Sequence, residues 1–431
     1  MRRGWWLTDG VNLASVVGPH PAESVALRTD SDRVVTYGEL RDDVARLRGG
    51  LGRSGVGRGD RVALALANEP DFVALYLAVL GVGAVAVPLN PLSPTPELQR
   101  ELAATGARAL VVGPAGSGAV AGLDRAALPA LTHVIEGPGL ADLRAGEPAP
   151  LVDLDPDDLA VLVFTSGTAG PSRPAMLSHR NLLANVDQLL ASGGTQTPDD
   201  RVLAVLPLFH IYGLNVVVGV SLAAGSSVVL AERFDARATL DLITGHGVTV
   251  VPGVPHMWAA WVRLDAAAPD AFAGVRLASS GAAPFDPEVR SAVRERFGLA
   301  VVEGYGLTEA SPAVTSGLGA AAPDGSIGVP LPDVAVRLVD DAGGTPEDVL
   351  VGDPGEIWVR GPNVFPGYWE DPRATAAALT RDGWLRTGDV AVVDDDGYLY
   401  LVDRAKDLVI VSGFTRPEFK VEVEVTAVAT S

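Results

Sequence analysis

Short apolar runs alternate with amphipathic stretches over residues 36–251, and this rhythm constrains the fold more than any other feature of the chain. Residues 61–67, 84–89, 109–112, 161–164, 202–206, 228–230 and 248–251 read as strands. Between them, Thr36-Tyr37-Gly38-Glu39-Leu40 opens an amphipathic stretch continued by Val44, Leu47 and Leu51, which is helical spacing. Residues 71–80, 178–190 and 240–245 read as further helices. The Gly/Ala-rich stretch to about residue 150 reads as loop. Strands alternating with helices predict an α/β fold of parallel layers. After about residue 326 the texture changes. Short strands at 334–339, 355–360, 390–393 and 397–402 are separated by Asp/Gly turns, which predicts a smaller, β-rich lobe. Residues 419–425 alternate with period two, as one isolated strand would.

With 431 residues the chain is long enough for about two or three domains. Its 48% hydrophobic and 20% charged residues exclude collagen, coiled coil and wholesale disorder. The charge sum of 33 basic and 53 acidic residues is −20, which repels phosphate backbones and argues against a nucleic-acid partner. It leaves room for a small nucleotide held by local donors. The absence of cysteine excludes disulfides, Cys-ligated metals and thiol nucleophiles, and fits a cytoplasmic protein. The N-terminus has no apolar run of signal length. The most apolar segment, 216–231, spans 16 residues and contains Gly219, Gly225, Ser226 and Ser227, short of the roughly 20 a membrane span needs. It reads as a buried helix and strand.

Three motifs carry chemistry. Phe164-Thr165-Ser166-Gly167-Thr168-Ala169-Gly170-Pro171-Ser172-Arg173 follows a strand and precedes the helix start at Ser178-His179. Small residues there let backbone N–H groups and hydroxyls close on phosphate oxygens. It is not a Walker loop, because no Gly-Lys-Ser/Thr follows. Glu303-Gly304-Tyr305-Gly306-Leu307-Thr308-Glu309 offers close backbone approach, a ring for stacking, a hydroxyl and a hard oxygen ligand for Mg²⁺. In Trp384-Leu385-Arg386-Thr387-Gly388-Asp389 an Asp on a turn can accept ribose hydroxyls, and Asp403-Arg404-Ala405-Lys406-Asp407 brings an Arg after it. Each is weak alone.

Together, with Pro207-Leu208-Phe209-His210 and Ser279-Ser280-Gly281-Ala282-Ala283-Pro284 between them, they resemble the adenylate-forming (AMP-binding) enzymes over roughly residues 36–413, most closely the acyl-CoA synthetases and fatty acid–CoA ligases. The resemblance implies two packed α/β sheets plus a small β-rich lobe. It divides the chain into a large AMP-binding domain over 1–404, with α/β layers to about 325 and the lobe over 326–404, and a hinge with a short remnant over 405–431. It implies ATP, Mg²⁺, coenzyme A and a small carboxylic acid as partners. The ATP/AMP contacts it implies are Thr165, Ser166, Gly167, Thr168, Ala169, Gly170, Arg173, Gly281, Ala282, Ala283, Gly304, Tyr305, Gly306, Thr308, Asp389 and Arg404. Thr168, His210, Thr308 and Glu309 take the catalytic roles, Glu309 as the metal ligand. His210, Val254, Gly281, Gly304 and Leu307 line the acid pocket, beside Val251 and Ala310. The family's usual Pro-Lys-Gly is Ser172-Arg173-Pro174 here; Arg keeps the charge but is planar, and Pro174 removes an N–H.

The implied reaction activates a carboxylic acid as acyl-AMP with release of pyrophosphate, followed by thioester formation with coenzyme A. Relatives that use small dicarboxylates place Arg before the Tyr of Gly-Tyr-Gly. Gly304 stands there, and the pocket residues are small or apolar, so a monocarboxylic acid with an apolar tail, such as a fatty acid, is expected. Only Asp235 and Asp286 remain to answer an α-amino group. Two readings stand beside this one: an acyl-AMP ligase serving a carrier protein, and a non-catalytic acyl- or nucleotide-binding protein. Lys406 and Lys420 are the only lysines. Lys406 matches the hinge position. The family's small domain carries a catalytic lysine that no residue after Phe414 matches, which predicts impaired turnover for this chain. A face left bare by that domain would allow homodimer formation.

Overall fold

The computed structural model describes residues 11–165, 172–193, 196–318, 322–341 and 346–404. Two large sheets dominate. The nine-stranded sheet runs, in spatial order, Val329–Pro330, Ala313–Ser316, Val301–Gly306, Leu277–Ser280, Val250–Gly253, Arg201–Ala204, Ser227–Leu230, Val25–Thr29 and Val34–Thr36. The seven-stranded sheet runs Gly367–Tyr368, Pro174–Ser178, Leu159–Phe164, Val85–Pro88, Arg61–Ala65, Ala109–Val112 and His133–Glu136. The interior strands of both are parallel, and antiparallel pairs are added at the edges. This is the expected α/β architecture of two packed sheets. A third, five-stranded antiparallel sheet contains Glu347–Asp348, Ala335–Asp340, Gly355–Arg360, Leu385–Val393 and Leu399–Arg404.

The helices form where the sequence pattern asks for them. Thr36 caps the helix Tyr37–Arg53: its hydroxyl accepts from Glu39 N–H at 3.2 Å, and the Glu39 carboxylate accepts from Thr36 N–H at 2.8 Å. The helix Pro70–Gly81 is buried from Phe72 to Gly81 on every face, and a helix apolar all round belongs inside the core. Asn68, just before it, donates to the carbonyls of Ala204 and Leu206 and so ties the seven-stranded sheet to the nine-stranded one.

Three sequence expectations need correction. The stretch read as loop to about 150 contains the helices Ser117–Ala121 and Pro138–Arg144 and the strand His133–Glu136. Its Gly/Ala content hid short elements whose order comes from packing on the sheet edge. The Pro174–Ser178 strand was not anticipated, because Pro174 opens it; a proline is tolerated as the first residue of a strand. Asp389 lies on the strand Leu385–Val393 rather than on a turn. The alternating segment 419–425 lies outside the described residues.

Close backbone approach explains one glycine pair. A Cβ at Gly49 would stand 1.9 Å from the Glu147 carbonyl oxygen, and one at Gly50 2.3 Å from that of Leu143. Backbone cannot yield as a side chain can, so Gly49→Ala should destabilise the fold by about 1–3 kcal/mol. Urea unfolding followed by tryptophan fluorescence checks this; an unchanged midpoint would contradict it.

Candidate active site

Four neighbouring strands of the nine-stranded sheet end side by side: Arg201–Ala204, Val250–Gly253, Leu277–Ser280 and Val301–Gly306, all parallel. Residues just beyond or at those carboxyl ends include His210, Val254, Gly281-Ala282-Ala283 and Leu307-Thr308-Glu309. In open α/β sheets this rim is where ligands bind. Topology therefore gathers residues from four separated stretches of sequence.

Each wall is built locally. Gly304, Tyr305 and Gly306 lie on the strand itself, and a Cβ at Gly306 would stand 2.3 Å from the Pro312 carbonyl oxygen, so the returning strand requires glycine there. Thr308–Ala310 forms a short 3₁₀ turn whose last residue is fully buried, leaving Thr308 and Glu309 half-buried at the rim. Phe365 N–H donates to the Glu309 carbonyl oxygen at 2.9 Å and fixes the turn from behind. Ala282 holds φ of 67°, a left-handed conformation that costs a residue with a Cβ about 1–2 kcal/mol. Ala282 and Ala283 are exposed, and Gly281 is half-buried.

The tyrosines order the carboxylates. Tyr305 donates to Asp389 Oδ2 at 2.7 Å, bringing the third sheet against the rim. Burial, then the Asp389 charge, push the Tyr305 phenol far above its ordinary pKa, so it stays a donor. Tyr368 donates to Glu309 Oε1 at 2.6 Å and is likewise raised by burial and by the Glu309 charge. His210 lies at the mouth, its ring 4.5 Å from that of Phe209. His210 is exposed at the surface, and desolvation by the protein around it lowers its pKa from the ordinary imidazole value.

The other sheet contributes a hairpin. Strands Leu159–Phe164 and Pro174–Ser178 pair antiparallel, and Thr165 N–H donates to the Arg173 carbonyl oxygen at 3.0 Å, closing its neck. Ser172 Oγ donates to the Thr165 carbonyl at 2.5 Å. Ser166, Gly167, Thr168, Ala169 and Gly170 lie outside the described residues, as does Lys406. The Arg173 side chain pairs with Asp371, Nε to Oδ2 3.1 Å. The backbone of Arg404 is the register partner of Asp389.

Sequence reasoning left out Tyr212, Tyr368 and Asp371. Tyr212 stands on the π-helix Tyr212–Gly219, its hydroxyl 3.4 Å from Ser279 Oγ and its ring 3.3 Å from where a Cβ on Gly281 would lie. The aromatic residue two positions after His210 was its only signal. Asp235 and Asp286 cap helices, accepting from the N–H groups of Arg237 and Ala238 and of Glu288. That employment makes them poor partners for a substrate amine. Val251 and Ala310 are wholly buried, whereas Val254 and Leu307 reach the rim.

Could the rim hold Mg²⁺? Among the described residues no cluster of three His, Cys, Asp or Glu is placed for a metal. A single carboxylate fits a cation that keeps waters and takes its remaining ligands from substrate phosphates. Glu309, oriented by Tyr368, is such a group.

Residues 14–369 match the model of the AMP-binding enzyme family. A feruloyl-CoA synthase from an Amycolatopsis species is 40% identical over 388 residues, covering 88% of this chain and 75% of that protein. The ATP-bound crystal structure of MatB from Rhodopseudomonas palustris superposes with a TM-score of 0.86 at 33% identity, over 94% of this chain and 81% of that one. The inhibitor-bound N-terminal domain of FACL13 from Mycobacterium tuberculosis gives 0.83 at 28% identity, over 91% of this chain and 99% of that domain. Fold, rim and sequence place this chain in the AMP-binding, adenylate-forming family of acid–CoA ligases.

Proposed function

We propose that this protein activates a carboxylic acid with ATP, forming acyl-AMP and pyrophosphate, and that coenzyme A then takes the acyl group. The observation that carries the reading is the convergence of His210, Gly281–Ala283, Gly304–Tyr305 and Thr308–Glu309 on one rim, with Asp389 joined to it through Tyr305. An acid oxygen attacks the α-phosphorus, a new P–O bond forms, and the bond to the β-phosphate oxygen breaks. Such catalysis is positioning plus charge neutralisation. Gly304 and Tyr305 bound the base on one side and Gly281–Ala283 on the other. Asp389 accepts from the ribose, and Thr308 donates to the α-phosphate. Arg173 meets the outer phosphates by leaving Asp371. Thr168 and the loop around it take the roles the family resemblance gives them. Mg²⁺ held by Glu309 would neutralise charge as pyrophosphate leaves.

Val254 and Leu307 give the acid pocket apolar walls, and Tyr212 adds a flat aromatic one. We therefore propose an acid with an apolar tail, and ferulic and dodecanoic acids are the first two to compare. No helix among the described residues is long and apolar enough to cross a membrane. ATP–pyrophosphate exchange should require one of these acids and should fall by at least roughly tenfold in Asp389→Ala, which removes a charge-assisted acceptor. Exchange without acid dependence would contradict the reading. Thioester formation on adding coenzyme A tests the second half-reaction; adenylate without thioester would move the acceptor to a carrier protein.

A further inference from the structure

The two walls of the nucleotide half of the rim come from different elements, and one buried ion pair joins them. Glu303 precedes Gly304 on the strand Val301–Gly306 and is 8% exposed. One carboxylate oxygen accepts from the guanidinium of Arg290, itself 7% exposed, on the helix Pro287–Phe297. The other accepts from the backbone N–H of Phe285 at 3.3 Å. Phe285 directly follows Gly281-Ala282-Ala283-Pro284, and its ring lies 5.0 Å from the Arg290 guanidinium. Outside, Asp324 faces Arg290 at 3.9 Å and pairs with Arg294 at 2.8 Å.

A buried ion pair is weak support for stability, since apolar residues of similar volume often serve as well. The segment beside it has a stronger need. Ala282 is held left-handed, and a strained residue persists only where its surroundings over-determine it. Ala282, Ala283 and Pro284 are exposed, so few side-chain contacts hold them. Their anchors are at the ends: Gly281 N–H donates to the Gly253 carbonyl at 3.2 Å, and Phe285 N–H donates to Glu303.

We propose that Glu303, oriented by Arg290, is a positioning residue for the nucleotide. It sets the spacing between the 281–284 segment and Gly304-Tyr305 without touching ATP or acid. The proposal rests on the ATP reading above. In Glu303→Gln the side chain keeps its size but has one acceptor oxygen for two donors. Its Kd for ATP, read by calorimetry, should rise at least roughly tenfold, the scale expected when a site group is displaced, with a smaller rise in the KM for acid, whose pocket shares only Gly281 and Gly304 with these walls. The pair Arg290→Met/Glu303→Leu should stay folded, with its melting temperature lowered only by the one buried donor left unpaired, yet bind ATP weakly, because the Phe285 N–H remains unanchored. Wild-type ATP affinity in that double variant, or equal loss of ATP and acid binding in Glu303→Gln, would overturn the proposal. Should the unaltered protein bind no ATP, the ATP reading fails instead. Hydrogen exchange then tests the anchor directly: it should quicken at Phe285 in Glu303→Gln, and unchanged exchange there would overturn it.

Discussion

Glu309→Gln should lower acid-dependent pyrophosphate release by roughly 10²–10³-fold, the usual loss when one preorganised electrostatic group is removed from a developing charge. The substitution is chosen to spare the fold. The turn Thr308–Ala310 is fixed by buried Ala310 and by the Phe365 N–H, neither of which depends on the carboxylate. Tyr368 can donate to the amide oxygen as it does to Oε1. What disappears is the negative charge, so the Mg²⁺ concentration needed for half-maximal rate should also rise, with the melting temperature unchanged. Stopped assays of pyrophosphate across a Mg²⁺ series check both. A rate within a few-fold of the parent would remove Glu309 from the metal role.

The second large effect is acid lability through His179. This side chain is wholly buried, and its Nδ1 accepts from Leu13 N–H at 3.0 Å, which requires the neutral ring. Burial lowers its pKa from 6.5 to about 4. The unfolded chain therefore binds the proton first, and stability falls as pH drops below 6.5, with the penalty saturating below about 4. At 1.36 kcal/mol per unit, this one residue removes on the order of 3 kcal/mol over that window. His179→Gln, whose amide oxygen can accept from Leu13, should flatten the slope between pH 6.5 and 4. Urea midpoints measured at several pH values test it. An equally steep fall in the variant would assign the acid lability of that window to groups other than His179, though not to Asp200. Asp200 is desolvated, yet Arg276 and its hydroxyl donors hold its pKa down to about 2, so its own contribution is lost only as pH falls from 3.8 toward 2.

Much of this molecule was legible because its rules are local. The run Ala109–Val112 is a strand at the residues expected, and Ser178 caps the helix His179–Ala191 because a hydroxyl there meets the Asn181 N–H. The rim residues were legible as motifs, each a strand end followed by small or polar residues. The hidden parts depend on distant partners. Pro174–Ser178 is a strand only because Leu159–Phe164 and Gly367–Tyr368 flank it. Tyr368 faces Glu309 across 59 positions of sequence, and no spacing rule connects them. Asp371, the helix cap that also pairs with Arg173, lies 198 positions from it. Arg290 and Glu303 meet because a helix returns its strand to the same sheet, a tertiary fact invisible in residue types alone.

Calorimetric titration with a non-hydrolysable acyl-adenylate mimic, carrying in turn a feruloyl and a dodecanoyl group, addresses the central claim most directly. It probes the whole rim without requiring turnover. The account predicts micromolar or tighter binding of at least one mimic, lost in Asp389→Ala while the fold is retained. Absence of binding by both mimics to the unaltered protein would contradict it.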